Sequence, residues 1–231
     1  MKIANKKLFL IAMLFAHFLH LRAQDSDWGL WTTIDAETKL FKKWDISFGP
    51  EYRMKNNFSA TDQIRGNLDI SRKVGKYVKL GAGYIFIADK KTKRDIFEYR
   101  HRFLFQATGS YKYARFTASW RSRIQLTIME TDQPRGNLFD DDSYNWVWRN
   151  RFGLKYNIKK SPFTPYINFE MFHSLFSDLQ YSYMENRFSV GTEYQINKRN
   201  SLEFGYKLDS EVEGTKKHKL NVLKLGYIYS F

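Results

Sequence analysis

Apolar and polar side chains alternate with a period of two along most of this chain. Between residues 44 and 54, Trp44, Ile46, Phe48, Pro50, Tyr52 and Met54 share one face, while Asp45, Ser47, Gly49, Glu51 and Arg53 share the other. Between 116 and 128 the split is as clear: Phe116, Ala118, Trp120, Ser122, Ile124, Leu126 and Ile128 against Thr117, Ser119, Arg121, Arg123, Gln125 and Thr127. A helix would scatter both sets around its circumference, whereas successive strand residues point to opposite faces. The same alternation predicts strands near 28–39, 43–55, 62–73, 77–88, 95–108, 114–128, 143–156, 163–175, 183–196, 200–210 and 217–231. Most are longer than the roughly five or six residues usual in a soluble sheet. They match instead the roughly nine to eleven residues that cross a bilayer at a tilt.

Composition narrows the class. The 231 residues leave room for one domain or at most two small ones, and the absence of cysteine excludes a disulfide framework, a thiolate metal site and a thiol nucleophile. A chain that is 18% aromatic has ample apolar surface to bury, which excludes disorder. A mean hydropathy of −0.56 excludes a bundle of membrane helices but not a barrel, in which only alternate residues meet lipid. The bulky, aromatic apolar faces disfavour the alternative of a soluble sandwich or lipocalin-like barrel. Tyr and Trp also gather near strand ends, at Trp28, Trp31, Trp44, Tyr84, Tyr144, Trp146, Tyr227 and Tyr229, as interfacial girdles require.

Residues 1–23 read as a secretory signal. Lys2, Lys6 and Lys7 precede the apolar run Leu8–Ala16, and Ala23 supplies a small residue before Gln24. Cleavage there removes four cations and lowers the net charge from +14 to +10, leaving residues 24–231 as the folded domain. At the other end Leu225, Tyr227, Tyr229 and Phe231 share one face, and Lys224, Gly226 and Ser230 the other. Lys224, Gly226, Tyr229 and the terminal Phe231 resemble the signal that bacterial barrel-assembly machinery reads on outer-membrane proteins. The expected fold is all-β: an antiparallel, up-and-down transmembrane barrel of 10 to 12 strands in the bacterial outer membrane, with outer-membrane lipid and that machinery as partners. Bacterial barrels have even strand numbers. Eleven segments therefore leave 28–39 either as a partial lumenal plug or as evidence of a further, hidden strand. With the carboxyl end in the periplasm, the outer connections are 210–218, 174–182, 129–142, 89–94 and 55–61. The inner ones are the tighter 197–200, 157–162, 109–113, 73–76 and 40–42.

The segments Trp28-Gly29-Leu30-Trp31, Lys39-Leu40-Phe41-Lys42-Lys43-Trp44, Tyr99-Arg100-His101-Arg102-Phe103, Pro165-Tyr166-Ile167-Asn168-Phe169-Glu170, and Asn186-Arg187-Phe188 through Leu202-Glu203 recur in one family in this order and spacing. In them the chain resembles the short outer-membrane proteins catalogued as domain of unknown function 2490. That resemblance implies an outer-membrane barrel and carries over no activity, substrate or catalytic residue.

The inward faces hold the candidate chemistry. Arg100/Arg102, Arg121/Arg123 and Arg149/Arg151 are three pairs at i, i+2 on consecutive strands. Hairpins near 109–113 and 129–142 would place all six at similar depth as one cationic wall, with strands about 4.8 Å apart. Glu98, Glu170, Glu185 and Glu193 face inward as compensating carboxylates, with Glu170 expected near Arg149. Such a wall either braces a narrow lumen by ion pairs or passes or binds a small anionic solute bearing phosphate or carboxylate.

An outer-membrane lipid hydrolase of the phospholipase or deacylase type is the competing class. His173 and Ser174 are adjacent and so point to opposite faces, and His101 has no serine at i+2. No phosphate loop, H-E-x-x-H or paired-carboxylate motif occurs, and no cofactor or metal is expected. The run Asp140-Asp141-Asp142 reads as a solvated acidic loop rather than a calcium site. A pI of 9.7 would ordinarily point to nucleic acid, but here the basic residues alternate with bulky apolar ones in an exported chain.

Overall fold

The computed structural model describes residues 26–41, 43–92, 94–130, 144–175, 183–213 and 216–231. Residues 1–23, read from the sequence as a signal, and Asp140–Asp142 lie outside these residues. Eleven strands close into one barrel: β1 (Ser26–Leu40), β2 (Trp44–Lys55), β3 (Ala60–Lys73), β4 (Val78–Lys91), β5 (Ile96–Tyr113), β6 (Phe116–Met129), β7 (Tyr144–Tyr156), β8 (Phe163–Leu175), β9 (Tyr183–Gln195), β10 (Asn200–Glu213) and β11 (Lys216–Ser230). Each pairs antiparallel with its sequence neighbour, and β1 pairs with β11 in parallel, from Ser26↔Lys219 to Glu37↔Ser230.

The segment expected as a plug or as the sign of a hidden strand is therefore a full wall strand. An odd number of up-and-down strands leaves the first and last running the same way, so the ladder can close only in parallel. Closure pairs the backbone groups that β1 and β11 would otherwise expose as open edges. Side chains reinforce the seam. The Trp28 ring lies 6.2 Å from that of Tyr206 across β11, Tyr206 Oη donates to Asn221 Oδ1 at 2.6 Å, and the Phe231 amide donates to the Glu37 carbonyl at 2.9 Å.

Alternation sets the two faces. Outward lie Ile34, Phe48, Leu68, Phe105, Trp120 and Phe204, between 45% and 69% exposed. Inward lie mostly charged and amide side chains, with a small apolar cluster of Ile85, Ile87 and Leu104 on β4 and β5. One end of the barrel has the short turns 41–43, 74–77, 114–115, 157–162 and 196–199. Around that end aromatic rings pair in series: Tyr77–Tyr111, Phe116–Tyr156, Phe163–Tyr194 and Tyr229–Phe231, at 4.7 to 5.7 Å. Just beyond them every short turn exposes a cation: Lys43, Lys76, Arg115, Lys159 and Arg199. At the opposite end, the Asp27 carboxylate accepts from the Asn56 and Asn57 amides at 3.0 and 2.8 Å and so holds a turn in which residues 56–58 all have positive φ.

The β5–β6 hairpin departs from the sequence expectation. Gly109 and Ser110 continue β5, and the chain reverses at Ala114-Arg115, with Ala114 at φ 51°. A left-handed residue other than glycine costs roughly 1–2 kcal/mol. Ala114→Gly should therefore stabilise the barrel by about 0.5–1 kcal/mol, read as a raised urea midpoint with an unchanged m-value.

Candidate functional site: a cation-lined lumenal cavity

The barrel interior encloses a cavity of about 760 Å³ that begins at the long-loop end, beside Asp27, Lys55, Asp62 and Lys219. Its lining stops near mid-barrel, at Asp35, Asp69, Arg121 and Lys224. Beyond that level the Tyr166 ring covers part of the inner wall. Tyr166 packs over Gly191 and Gly205, where an added Cβ would stand 2.6 and 2.8 Å from its Oη, and its hydroxyl donates to Glu203 Oε1 at 2.6 Å. Glycine is needed at both positions because the tyrosine ring takes the space of their side chains.

Glu170 is the electrostatic centre of the deeper half. It is 4% exposed and has Arg149 at 2.7 Å, Arg121 at 3.2 Å, Arg187 at 3.8 Å and Arg151 at 3.9 Å. The register explains the convergence, since Arg151↔Glu170↔Arg187 form one row across β7, β8 and β9. Arg121↔Arg151 and Arg123↔Arg149 are direct cross-strand partners.

The β5 pair does not belong to this wall. Thr127, not Arg123, pairs with Arg102, and Arg123 pairs with Gln106. The later turn at Ala114-Arg115 slides Arg100 and Arg102 toward the long-loop end, by four residues or roughly 13 Å of strand. Arg100 there meets Asp89 at 2.5 Å and Glu98 at 4.0 Å, and Lys91 meets Glu98 at 3.3 Å. Of the other carboxylates, Glu185 pairs with Arg187 at 2.8 Å and Glu193 pairs with Lys155. At the carboxyl terminus Lys224 faces inward onto Glu203 at 2.5 Å and Gly226 faces inward beside it, while Tyr229 and Phe231 meet edge to face at the outer rim.

A second group of charges was not apparent from sequence. Trp31, placed with the outer aromatics by its position near a strand end, is instead inward and 4% exposed. Three residues separate it from Trp28, so the two indoles take opposite faces. Arg53 lies 3.4 Å, Lys207 4.4 Å and Arg187 5.0 Å from its ring. Arg187 is fixed by a bidentate pair with Asp209 at 2.6 and 2.8 Å. Arg53 pairs with Glu51 on its own strand. Arg53 is the β2 partner of Trp31, whereas Arg187 and Lys207 reach its ring from the non-adjacent strands β9 and β10, so no local motif announces the group.

Outside the barrel, His101 accepts or donates through Nδ1 to Tyr84 Oη at 2.6 Å and through Nε2 to Glu130 at 3.2 Å. His173 lies beside the Trp148 ring on the exterior, while Ser174 pairs with inward Val147. The structure thus keeps the adjacent histidine and serine on opposite faces. Among the described residues, no group of three His, Asp or Glu side chains forms a metal cage.

The model of one family, described as a protein of unknown function (DUF2490), matches residues 28–217, and the chain belongs to that family. No curated protein matches the chain.

Removing one partner of a buried ion pair typically costs about 3–5 kcal/mol. Glu170→Gln, which leaves four guanidiniums around a neutral amide, should lower stability by that order in equilibrium urea unfolding. Adding Arg121→Gln should recover part of the loss, because it removes one of the repelling cations; a double variant as unstable as the sum of the two singles would contradict this account.

Proposed function

We propose that this member of the family is an outer-membrane barrel whose lumen passively admits small anionic solutes from the long-loop side. Its inverted polarity carries the reading. The outward face is apolar and the inward face charged, the reverse of a soluble ligand-binding barrel. An exterior bearing Phe105 at 69% and Ile34 at 60% exposure suits hydrocarbon and not water. The paired aromatics around the short-turn end, followed directly by one exposed cation per turn, suit the step from acyl chains to anionic headgroups. Short turns at one end and the longer connections 130–143 and 176–182 at the other give the usual sidedness, with the carboxyl terminus in the periplasm.

The solute preference follows from the cavity wall, where eleven Lys or Arg side chains face seven carboxylates. Field lines in such a channel favour anions over cations. In this reading the Tyr166 ring, bonded to Glu203, narrows the passage on the periplasmic side of the cavity.

Purified protein in planar bilayers should show a small conductance whose reversal potential in a salt gradient has the sign of anion preference. Arg121→Ala combined with Arg123→Ala should weaken that preference, and Tyr166→Ala should raise the conductance without reversing its sign. Electrical silence from the parent and from the Tyr166 variant alike would remove the passage reading. Recovery of the mature chain in soluble form without detergent would remove the membrane reading itself.

A further inference from the structure

The cavity's charges do not cancel locally, and the imbalance is concentrated in one place. Arg53, Arg65, Arg102, Arg149, Arg187 and Lys207 come from six strands and all line the same space. Arg102 lies within electrostatic reach of Arg53, Arg149 and Arg187, and Arg65 within reach of Arg53, Arg102 and Arg187. The nearby carboxylates are already committed: Glu51 to Arg53, Glu170 to Arg149, and Asp209 and Glu185 to Arg187. Among the described residues no carboxylate lies within ion-pair distance of Arg65, Arg102 or Lys207. Arg65 is held by the Gln63 amide oxygen at 2.7 Å and Arg102 by the Thr127 hydroxyl at 2.9 Å, both neutral. Lys207 stands over the Trp31 ring. Between Arg65 and Arg102, strand β4 contributes only Ile87 and Ile85 to the inner face, since Arg65↔Ile87 and Ile85↔Arg102 are partners. Cations confined in a narrow lumen beside an apolar floor need a counter-charge, and the carboxylate that the chain brings near Arg65 and Lys207, Glu51, is already paired with Arg53.

We infer that this place is a binding site for the phosphoryl group of a small phosphorylated solute, held by the forks of Arg65 and Arg102 and the ammonium of Lys207. A phosphoryl dianion presents three terminal oxygens in a tetrahedron and can serve two guanidinium forks and an ammonium together, whereas one planar carboxylate offers a single edge to a fork. The cavity of about 760 Å³ has room for the rest of the solute toward the long-loop end. Trp31, whose indole Nε1 is buried without a partner among the described residues, forms the wall behind Lys207. The inference rests on the membrane-barrel reading and narrows its anionic solute to one chemical class.

Isothermal titration of the folded protein in detergent, with pyrophosphate, inorganic phosphate, citrate and chloride as separate probes, tests it. The expected result is saturable pyrophosphate and phosphate binding with citrate and chloride much weaker. Each of Arg65→Gln and Arg102→Gln should weaken pyrophosphate binding at least about tenfold, the loss expected for one charge-assisted contact. Glu51→Gln, which removes the carboxylate opposite Arg65 in the β2–β3 register, should strengthen it. A gain of affinity cannot come from misfolding. Absence of pyrophosphate binding up to about 1 mM, the range of weak specific sites, would overturn the site if the protein needs detergent and shifts its gel mobility on heating. The barrel reading would then survive. Citrate binding as tightly as pyrophosphate would overturn the phosphoryl assignment, and indifference to both arginine variants would overturn the location. A chain that stays soluble without detergent would overturn the site and the membrane reading together.

Discussion

The parallel ladder between β1 and β11 is the contact on which the rest of this molecule depends. Eleven strands joined by antiparallel hairpins alone would end in two open edges, each a row of unpaired amides and carbonyls. The twelve partnerships from Ser26↔Lys219 to Glu37↔Ser230 remove both edges at once. Closure has a second consequence, because it turns a two-faced sheet into an inside and an outside. Only then does the period-two pattern become a lumen of charges within a sleeve of rings. Trp31 shows the coupling: it is a lumenal residue only because β1 belongs to the wall, and Arg53, Arg187 and Lys207 gather on it for the same reason.

Strand number then sets how those charges meet. Eight strands leave a lumen that side chains nearly fill, and the interior widens steadily with each strand added. At eleven the long inward side chains still meet between non-adjacent strands, as where Arg187 on β9 reaches the Trp31 ring on β1, while Glu170 on β8 gathers guanidiniums along the wall from β6, β7 and β9. They no longer fill the whole space, and the cavity remains on the long-loop side. The closed half shows how the remainder is filled, with Tyr166 bridging toward Glu203 over two glycines. A barrel of this girth balances between bracing and opening, and the placement of a few large side chains decides which half does which.

The strands and their faces were legible because alternation is local and survives in the sequence of each segment. What pairing decides was not. The chain does not mark the direction in which β1 docks, since nothing in residues 28–39 distinguishes a parallel partner from an antiparallel one. The depth of Arg100 and Arg102 was misjudged because Gly109-Ser110 has turn chemistry, whereas the true reversal at Ala114-Arg115 has none. A turn displaced along a strand shifts every cross-strand partner after it, so a small local error became a displaced row of charges. Trp31 could have been placed from sequence, because its spacing of three from Trp28 is incompatible with a shared face. The cluster of Arg53, Arg65 and Lys207 could not, as Arg53 and Arg65 sit on the neighbouring strands β2 and β3 whereas Lys207 comes from β10, more than 140 residues later in the chain.

Charge in this interior is best understood by asking which cations the fold itself requires. Arg121, Arg149, Arg151 and Arg187 surround one carboxylate and hold neighbouring strands by ion pairs within the wall, so their presence is explained by the barrel alone. Arg65 and Arg102 brace nothing of that kind: each meets only a neutral oxygen on its own or the adjacent strand, where glutamine or threonine pairs would close the ladder as well at lower electrostatic cost. Repulsion among them and Arg53 opposes folding, and Glu51, already paired with Arg53, offsets it only in part. A cost of that kind, concentrated on the open side of the cavity and away from the braced side, is what a site built for an external anion requires, because the ligand's charge supplies the missing half of the balance.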